Sequence, residues 1–255
     1  MTVSRESVTR FIFPAPARNI SCAFALAVAL TVASGPAWSQ NAGADLRGIW
    51  MAETNADASL ERAHVIVDPP DGKIPYRPEV AVQQKRNFAN RRTADPETRC
   101  FQPGVPRAAY VRSPFQIFQN ERAVYMVYQD AHSYRIIYLN GSAHNDGLPY
   151  AMGDSRGHWE GNTLVADVAS FSDTTWLDAV GDYHSDELHV VERYTRTNRD
   201  TLIYEAAIED PKVFTRPWKI RMPLRLQKGT QILEDECGEG ENGRRHHVSL
   251  YKEAR

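Results

Sequence analysis

The chain has 255 residues, 30 Lys+Arg against 32 Asp+Glu, and a formal charge of −2. No long block of one sign interrupts it. That excludes the basic face of a nucleic-acid binder and the Lys/Arg cluster of an anionic-membrane binder. The short Lys85-Arg86 and Arg91-Arg92 pairs read instead as a solvated helix face.

The first 44 residues carry only four charges, Arg5, Glu6, Arg10 and Arg18, and the run from Ile20 to Ala33 is apolar or small. Those 14 residues fall short of the roughly 20 that a spanning helix needs. A basic start, a short apolar stretch, the Gly35-Pro36 break and small residues at Ala37 and Ser39 fit a secretory signal over residues 1–40. Cleavage there predicts a chain without membrane insertion, periplasmic or secreted, with a formal charge of −4 once three arginines and one glutamate are lost. In that compartment Cys100 and Cys237 are expected to pair as a disulfide.

Residues 41–255 suit one all-β domain. DLRGIWMAE (45–53) reads as a first strand. An irregular and helical arm follows over 56–107, broken at Asp68-Pro69-Pro70-Asp71-Gly72, Pro75 and Pro78. Pro78 suits the first turn of a short surface helix running to about Arg92, with Val80, Val82 and Phe88 as its apolar stripe. From Phe115 the apolar period becomes two. FQIFQ, AVYMVYQ, SYRIIYL, TLVADVASF, ELHVVERYTR, TLIYEAAIE, VFTRPWKIRMPLRL and QILEDEC are strand-like runs joined by short polar links, among them Asn140-Gly141. The main strands span 115–237 and a polar tail 238–255. About nine strands in meander order predict a single antiparallel β-barrel or barrel-like sandwich, lipocalin-like, because closure removes exposed edges.

In a barrel, alternate residues face the lumen. That rule groups Gln116 with Phe118, Gln129 with Tyr125 and Val127, Arg135 with Ile137 and Leu139, and Glu192 with Leu188, Val190 and Tyr194, leaving His189 and Arg193 with Val191. A buried charge needs a partner or a wet cavity, so Arg135 and Glu192 are candidate site residues. GDSRGHWE (153–160) crowds Asp154, Arg156, His158, Trp159 and Glu160 into a turn-rich segment, where Asp154 and Arg156 could hold a polar group and Trp159 cover it. An Asp-Ser-Arg turn also caps its own loop. Trp176, in the long loop FSDTTWLDAVGDYH (171–184), is placed to cover a barrel mouth as a lid. Gly153-Asp154-Ser155 with Asp186-x-x-His189 permits a Ser155–His189–Asp186 triad on paper. A mid-chain serine among hairpins is the wrong setting for the GDSL-type esterases that use such a serine. There is no HExxH, no paired CxxC and no His-x-His, so no metal site is expected, and no dinucleotide or phosphate motif, so no organic cofactor.

CFQPGVPR, GDSRGHWEGNTLVADV, HVVERYTR and YEAAIEDPKVFTRPW together resemble a family of uncharacterised exported bacterial proteins, over about Leu46 to Cys237. The resemblance implies one exported domain and carries over no catalytic residue. Three readings follow. The first is a cofactor-independent lyase, isomerase or hydrolase acting on a small metabolite or sugar. There His132, His189 or Glu192 serves as base, Arg135 and Arg107 stabilise negative charge, and Asp154 joins the catalytic set. Arg107, Gln116, Gln129, Arg156, Trp159 and Trp176 then bind the substrate. The second is a carrier of an apolar or aromatic small molecule, and the third a fully packed structural barrel. The lining of the lumen separates them.

Overall fold

The computed structural model describes residues 43–145 and 147–234. The signal segment 1–40, Cys237 and the polar tail 238–255 lie outside the described residues. The strands are β1 (Gly48–Ala52), β2 (Ile66–Asp68), β3 (Phe115–Gln119), β4 (Ala123–Tyr128), β5 (Tyr134–Tyr138), β6 (Asp154–Glu160), β7 (Thr163–Ala169), β8 (His189–Asn198), β9 (Thr201–Glu209) and β10 (Trp218–Leu226). They pair in the order β1-β3-β4-β5-β6-β7-β8-β9-β10, and β1 pairs again with β10 to close a nine-stranded barrel. The short β2 adds to β10 outside that ring. Residues 231–234, expected to begin a strand, are not in one.

The wall is antiparallel except at one joint. β5 and β6 run parallel and share only two residue pairs, Ile137↔Ser155 and Tyr138↔Arg156. The expected meander breaks here because residues 139–153 carry the chain back along β5 before β6 begins. Gly153 sits at the turn into β6 with φ +64°, where a Cβ would meet Val168 Cγ1 at 2.6 Å. Glycine tolerates both demands.

Alternation decides what fills the barrel. Phe115 and Ile117 on β3, Val124, Met126 and Tyr128 on β4, Ile137 on β5, and Leu164, Ala166 and Val168 on β7 are buried. So are Val190 and Tyr194 on β8, the run Leu202, Tyr204, Ala206 and Ile208 on β9, and Trp218, Ile220, Met222 and Leu224 on β10. Trp50 on β1 sits against the closing seam, fully buried, its indole N–H donating to the Leu46 carbonyl at 2.9 Å. Two expectations fail on β3 and β4. Phe118 and Val127 are exposed, so Gln116, which alternates with Phe118, belongs to the outer face. Gln129 is one residue past β4 and accepts from the Leu233 amide.

The arm before β3 is pinned by a buried ion cluster. Arg107 is 1 % exposed. Its Nε donates to Asp57 at 2.6 Å, Nη1 and Nη2 fork onto Asp95 at 2.9 and 3.0 Å, and Nη2 also reaches Glu97 at 2.7 Å. Every edge of the guanidinium is used, which corrects its expected role as a ligand-binding residue: it ties residue 57 to the 95–97 turn. Burial, with Asp57 and Asp95 nearby, pushes the Glu97 carboxyl well up despite Arg107.

The helix α1 (Ala81–Ala94) starts three residues after Pro78, which lies outside its first turn. It carries Arg91 and Arg92 in its last turn, where cations suit the helix dipole. Asp95, held extended before Pro96, ends it. Its buried residue is Asn87, not an apolar stripe, and Val82 is exposed. The Asn87 amide donates to the Gly181 carbonyl at 3.1 Å.

Residues 171–184, expected as a lid, are a plug. Leu177, Asp178 and Ala179 are buried, and Trp176 is 9 % exposed and bridged to Tyr183. The Leu60 amide donates to Asp178, the Ala179 amide to the Asp57 carbonyl, and the Tyr110 hydroxyl to the Leu177 carbonyl. A segment with this many long-range bonds does not swing free.

Candidate functional site

β5, β8 and β9 place a polar cluster inside the apolar barrel. Arg135 shares the inward face of β5 with Ile137, and Glu192 the inward face of β8 with Val190 and Tyr194, as alternation predicts. Arg135 Nη2 donates to Glu192 Oε2 at 2.5 Å. The hydroxyls of Tyr194 and Tyr204, cross-strand partners on β8 and β9, both donate to Glu192 Oε1, at 3.0 and 2.8 Å. Arg135 is 4 % exposed and Glu192 1 %. Burial, reinforced by the Glu192 charge, raises both phenols well above their ordinary range. Burial likewise raises Tyr128 to about 12, with Glu192 adding to the shift and Arg135 opposing it. All three are therefore hydroxyl donors at neutral pH. Glu192 is wrapped by three donors, so it anchors the cluster and is not a free base.

Arg135 is less well served. Its Nε and Nη1 have no hydrogen-bond partner among the described residues, and neither has the hydroxyl of Ser155, which pairs beside Ile137 across the short joint. Orphaned buried donors cost about 1–3 kcal/mol each. Arg135 and Ser155 both line a pocket of about 360 Å³. It lies where β5 extends beyond its two residue pairs with β6, with Tyr138, Tyr150, Met152 and Asp154 also in its wall. Tyr134, Tyr138 and Tyr150 are 65 %, 40 % and 38 % exposed, so three phenol rings stand around its mouth.

The loop over this pocket is fastened to the outer wall. His144 Nδ1 lies 3.2 Å from Asp154 Oδ2 and its Nε2 2.9 Å from Asp167 Oδ1, to which His189 Nε2 also comes at 3.0 Å. The Asn145 amide donates to Asp154 at 2.9 Å, and Arg156 pairs with Asp154 at 2.8 Å. Arg156 Nε also donates to the Ala143 carbonyl, and its guanidinium lies 5.0 Å from the Tyr138 ring centroid. Against partial burial, which opposes it, the bonds from His189 and His144 hold the Asp167 carboxyl low. Among the described residues no group of three or more His, Cys, Asp or Glu is arranged to hold a metal ion.

The expected site residues thus fall into separate places. Arg135 and Glu192 meet in the lumen, and Asp154 lines the same pocket from the outer side. Arg156 braces that pocket's loop. His189 faces outward on β8, onto Asp167. His132 stands in the turn between β4 and β5 with φ +50°. Trp159 is partly buried, packed against the core towards the far end of β6, and Trp176 is held in the plug. Ser155 and His189 lie on opposite faces of the wall and Asp186 pairs with Lys212, so no triad forms. Sequence reasoning missed Tyr204, His144 and Asp167. For Tyr204 the signal was available, since Leu202, Tyr204, Ala206 and Ile208 alternate in phase. For His144, in a loop without period, there was none.

Fold and site together define a closed β-barrel with a charged, partly unsatisfied lumen. No protein-family model, curated protein or solved structure matches the chain.

Proposed function

We propose that the chain is an exported small-molecule-binding barrel whose ligand occupies the pocket over the β5–β6 joint and is recognised by Arg135. One observation carries this. The polar atoms left without partners in Arg135 and Ser155 belong to residues that line that pocket. Buried side-chain donors are mostly hydrogen-bonded in packed interiors, and these three are not. Glu192, Tyr194 and Tyr204 hold the guanidinium in place, which is pre-organisation for binding. The same reading keeps the signal peptide over residues 1–40, a periplasmic or secreted location and a Cys100–Cys237 disulfide.

The acid–base enzyme reading draws on a second observation: Arg135, which is held by Glu192, and Asp154 line one pocket. The two readings part on whether the ligand is recovered altered.

The test is a thermal-shift and native mass spectrometry screen of small metabolites against the purified chain, beside Ala151→Trp, which fills the pocket from its loop side. At least one compound is expected to stabilise the wild type and lose its effect in Ala151→Trp. A stabilising ligand indifferent to that substitution would refute the site. Recovery of a changed compound would favour the enzyme.

A further inference from the structure

The charges around the pocket say what kind of molecule fits. In the lumen, Arg135 is already neutralised by Glu192 at 2.5 Å, and the neighbouring tyrosines carry no charge. At the outer side, Asp154 is paired with Arg156 and His144. No cation lining the pocket is left uncompensated among the described residues. An anionic ligand would therefore add a net negative charge to a pocket whose single guanidinium is shared with a carboxylate. Taking an ionised group out of water without a counter-charge is strongly unfavourable. Donors, by contrast, are in surplus. Nη2 spends one of its two N–H groups on Glu192. Whichever side Glu192 occupies, one complete edge of the guanidinium remains, and Ser155 adds a hydroxyl. The mouth supplies faces for stacking: Tyr134, Tyr138 and Tyr150 are exposed around it.

Resting on the binding reading above, we infer that the ligand is a neutral, planar aromatic molecule that presents a carbonyl-type acceptor to Arg135 and Ser155 and stacks against the tyrosines of the mouth. A carbonyl oxygen accepts two hydrogen bonds without importing charge. The unpartnered donors at the inward end are buried behind the pocket wall, so the ligand's oxygen reaches them by inserting beside Arg135 and Ser155; the outer end is an aromatic clamp.

Matched pairs of probes test this: methyl esters and the corresponding free carboxylates on benzene, naphthalene and cinnamyl bodies, titrated at pH 7 by calorimetry. At least one ester is expected to bind tenfold or more tighter than its acid, a difference of about 1.4 kcal/mol. Ser155→Ala should weaken that ester several-fold and Tyr138→Ala comparably. Arg135→Met should abolish it. Because Arg135→Met leaves Glu192 without its cation, Arg135→Met/Glu192→Gln is measured beside it, with circular dichroism to confirm the fold, and should also fail to bind. A carboxylate that binds as tightly as its ester, in an Arg135-dependent way, overturns the ligand class and leaves the pocket in place. Ester binding unchanged in Ser155→Ala and in the double variant overturns both the class and the site. So does a blank for every probe together with a blank metabolite screen, whereas blank probes beside a positive screen overturn the class alone.

Discussion

Breaking the lumen ion pair from one side should cost far more than removing it from both. Arg135 and Glu192 are 4 % and 1 % exposed and 2.5 Å apart, so neither charge finds water when its partner is lost. Losing one partner of such a pair typically costs about 3–5 kcal/mol. Arg135→Met leaves the Glu192 carboxylate with only two phenol donors, and Glu192→Gln leaves the guanidinium with none of its countercharge. Each single variant is expected to lose about 3–5 kcal/mol of unfolding free energy. In the double variant the amide oxygen introduced by Glu192→Gln still accepts from Tyr194 and Tyr204 while no net charge remains. Its loss should be about 1–2 kcal/mol, the scale of one or two imperfect hydrogen bonds. The coupling energy is then about 4 kcal/mol or more. Urea denaturation at pH 7, followed by tryptophan fluorescence on wild type, both singles and the double, measures it. Additivity within about 0.5 kcal/mol, as found for distant sites, would refute the claim that these charges depend on each other.

Four further outcomes are expected. Trp50→Ala, at the β1–β10 seam, should cost about 3–5 kcal/mol in the same urea assay, the usual range for emptying a buried aromatic site. Burial pushes the Asp182 carboxyl up to about 6, above the unfolded value of about 3.9. The folded state thus favours the protonated acid, and that contribution is whole below about pH 3.9 and lost as pH rises through about 6. Asp182→Asn, which can still accept from Tyr76, should flatten the stability profile across that window, and an unchanged slope would count against it. His144→Ala should release the loop from the wall, seen as faster hydrogen exchange at the Asn145 amide, which donates to Asp154. Mass analysis of the exported chain without reductant should find Cys100 protected from alkylation, and free thiol there would remove the proposed disulfide.

Period-two patterning made the barrel legible, because a strand with one wet face and one dry face writes its geometry into every second residue. Arg135 and Glu192 were readable for that reason: each is a charge in phase with aliphatic neighbours. The same rule misplaced Gln116 and Gln129, since FQIFQ and AVYMVYQ are apolar on both faces and leave the phase undecided; only the exposure of Phe118 and Val127 resolves it. Arg107 looked like a functional cation because its partners Asp57, Asp95 and Glu97 lie 10 to 50 residues away in aperiodic chain. The parallel β5–β6 joint and the plug at 171–184 depend on where long loops return, which no local pattern encodes. Asn87 docks α1 through a side-chain amide, so the helix lacked the stripe that would have shown its buried face.

The two-pair joint between β5 and β6 is the most sparsely paired seam of the barrel ring. Elsewhere in the ring neighbouring strands are laced by three to nine registered pairs, so local opening free energy should be lowest along this one stave. The proposed pocket opens beside this stave, with Tyr134, Tyr138 and Tyr150 around its mouth. Brief parting of Ile137 from Ser155 and Tyr138 from Arg156 would widen that mouth, so the rate at which the seam breathes would help set how fast a bound molecule is exchanged.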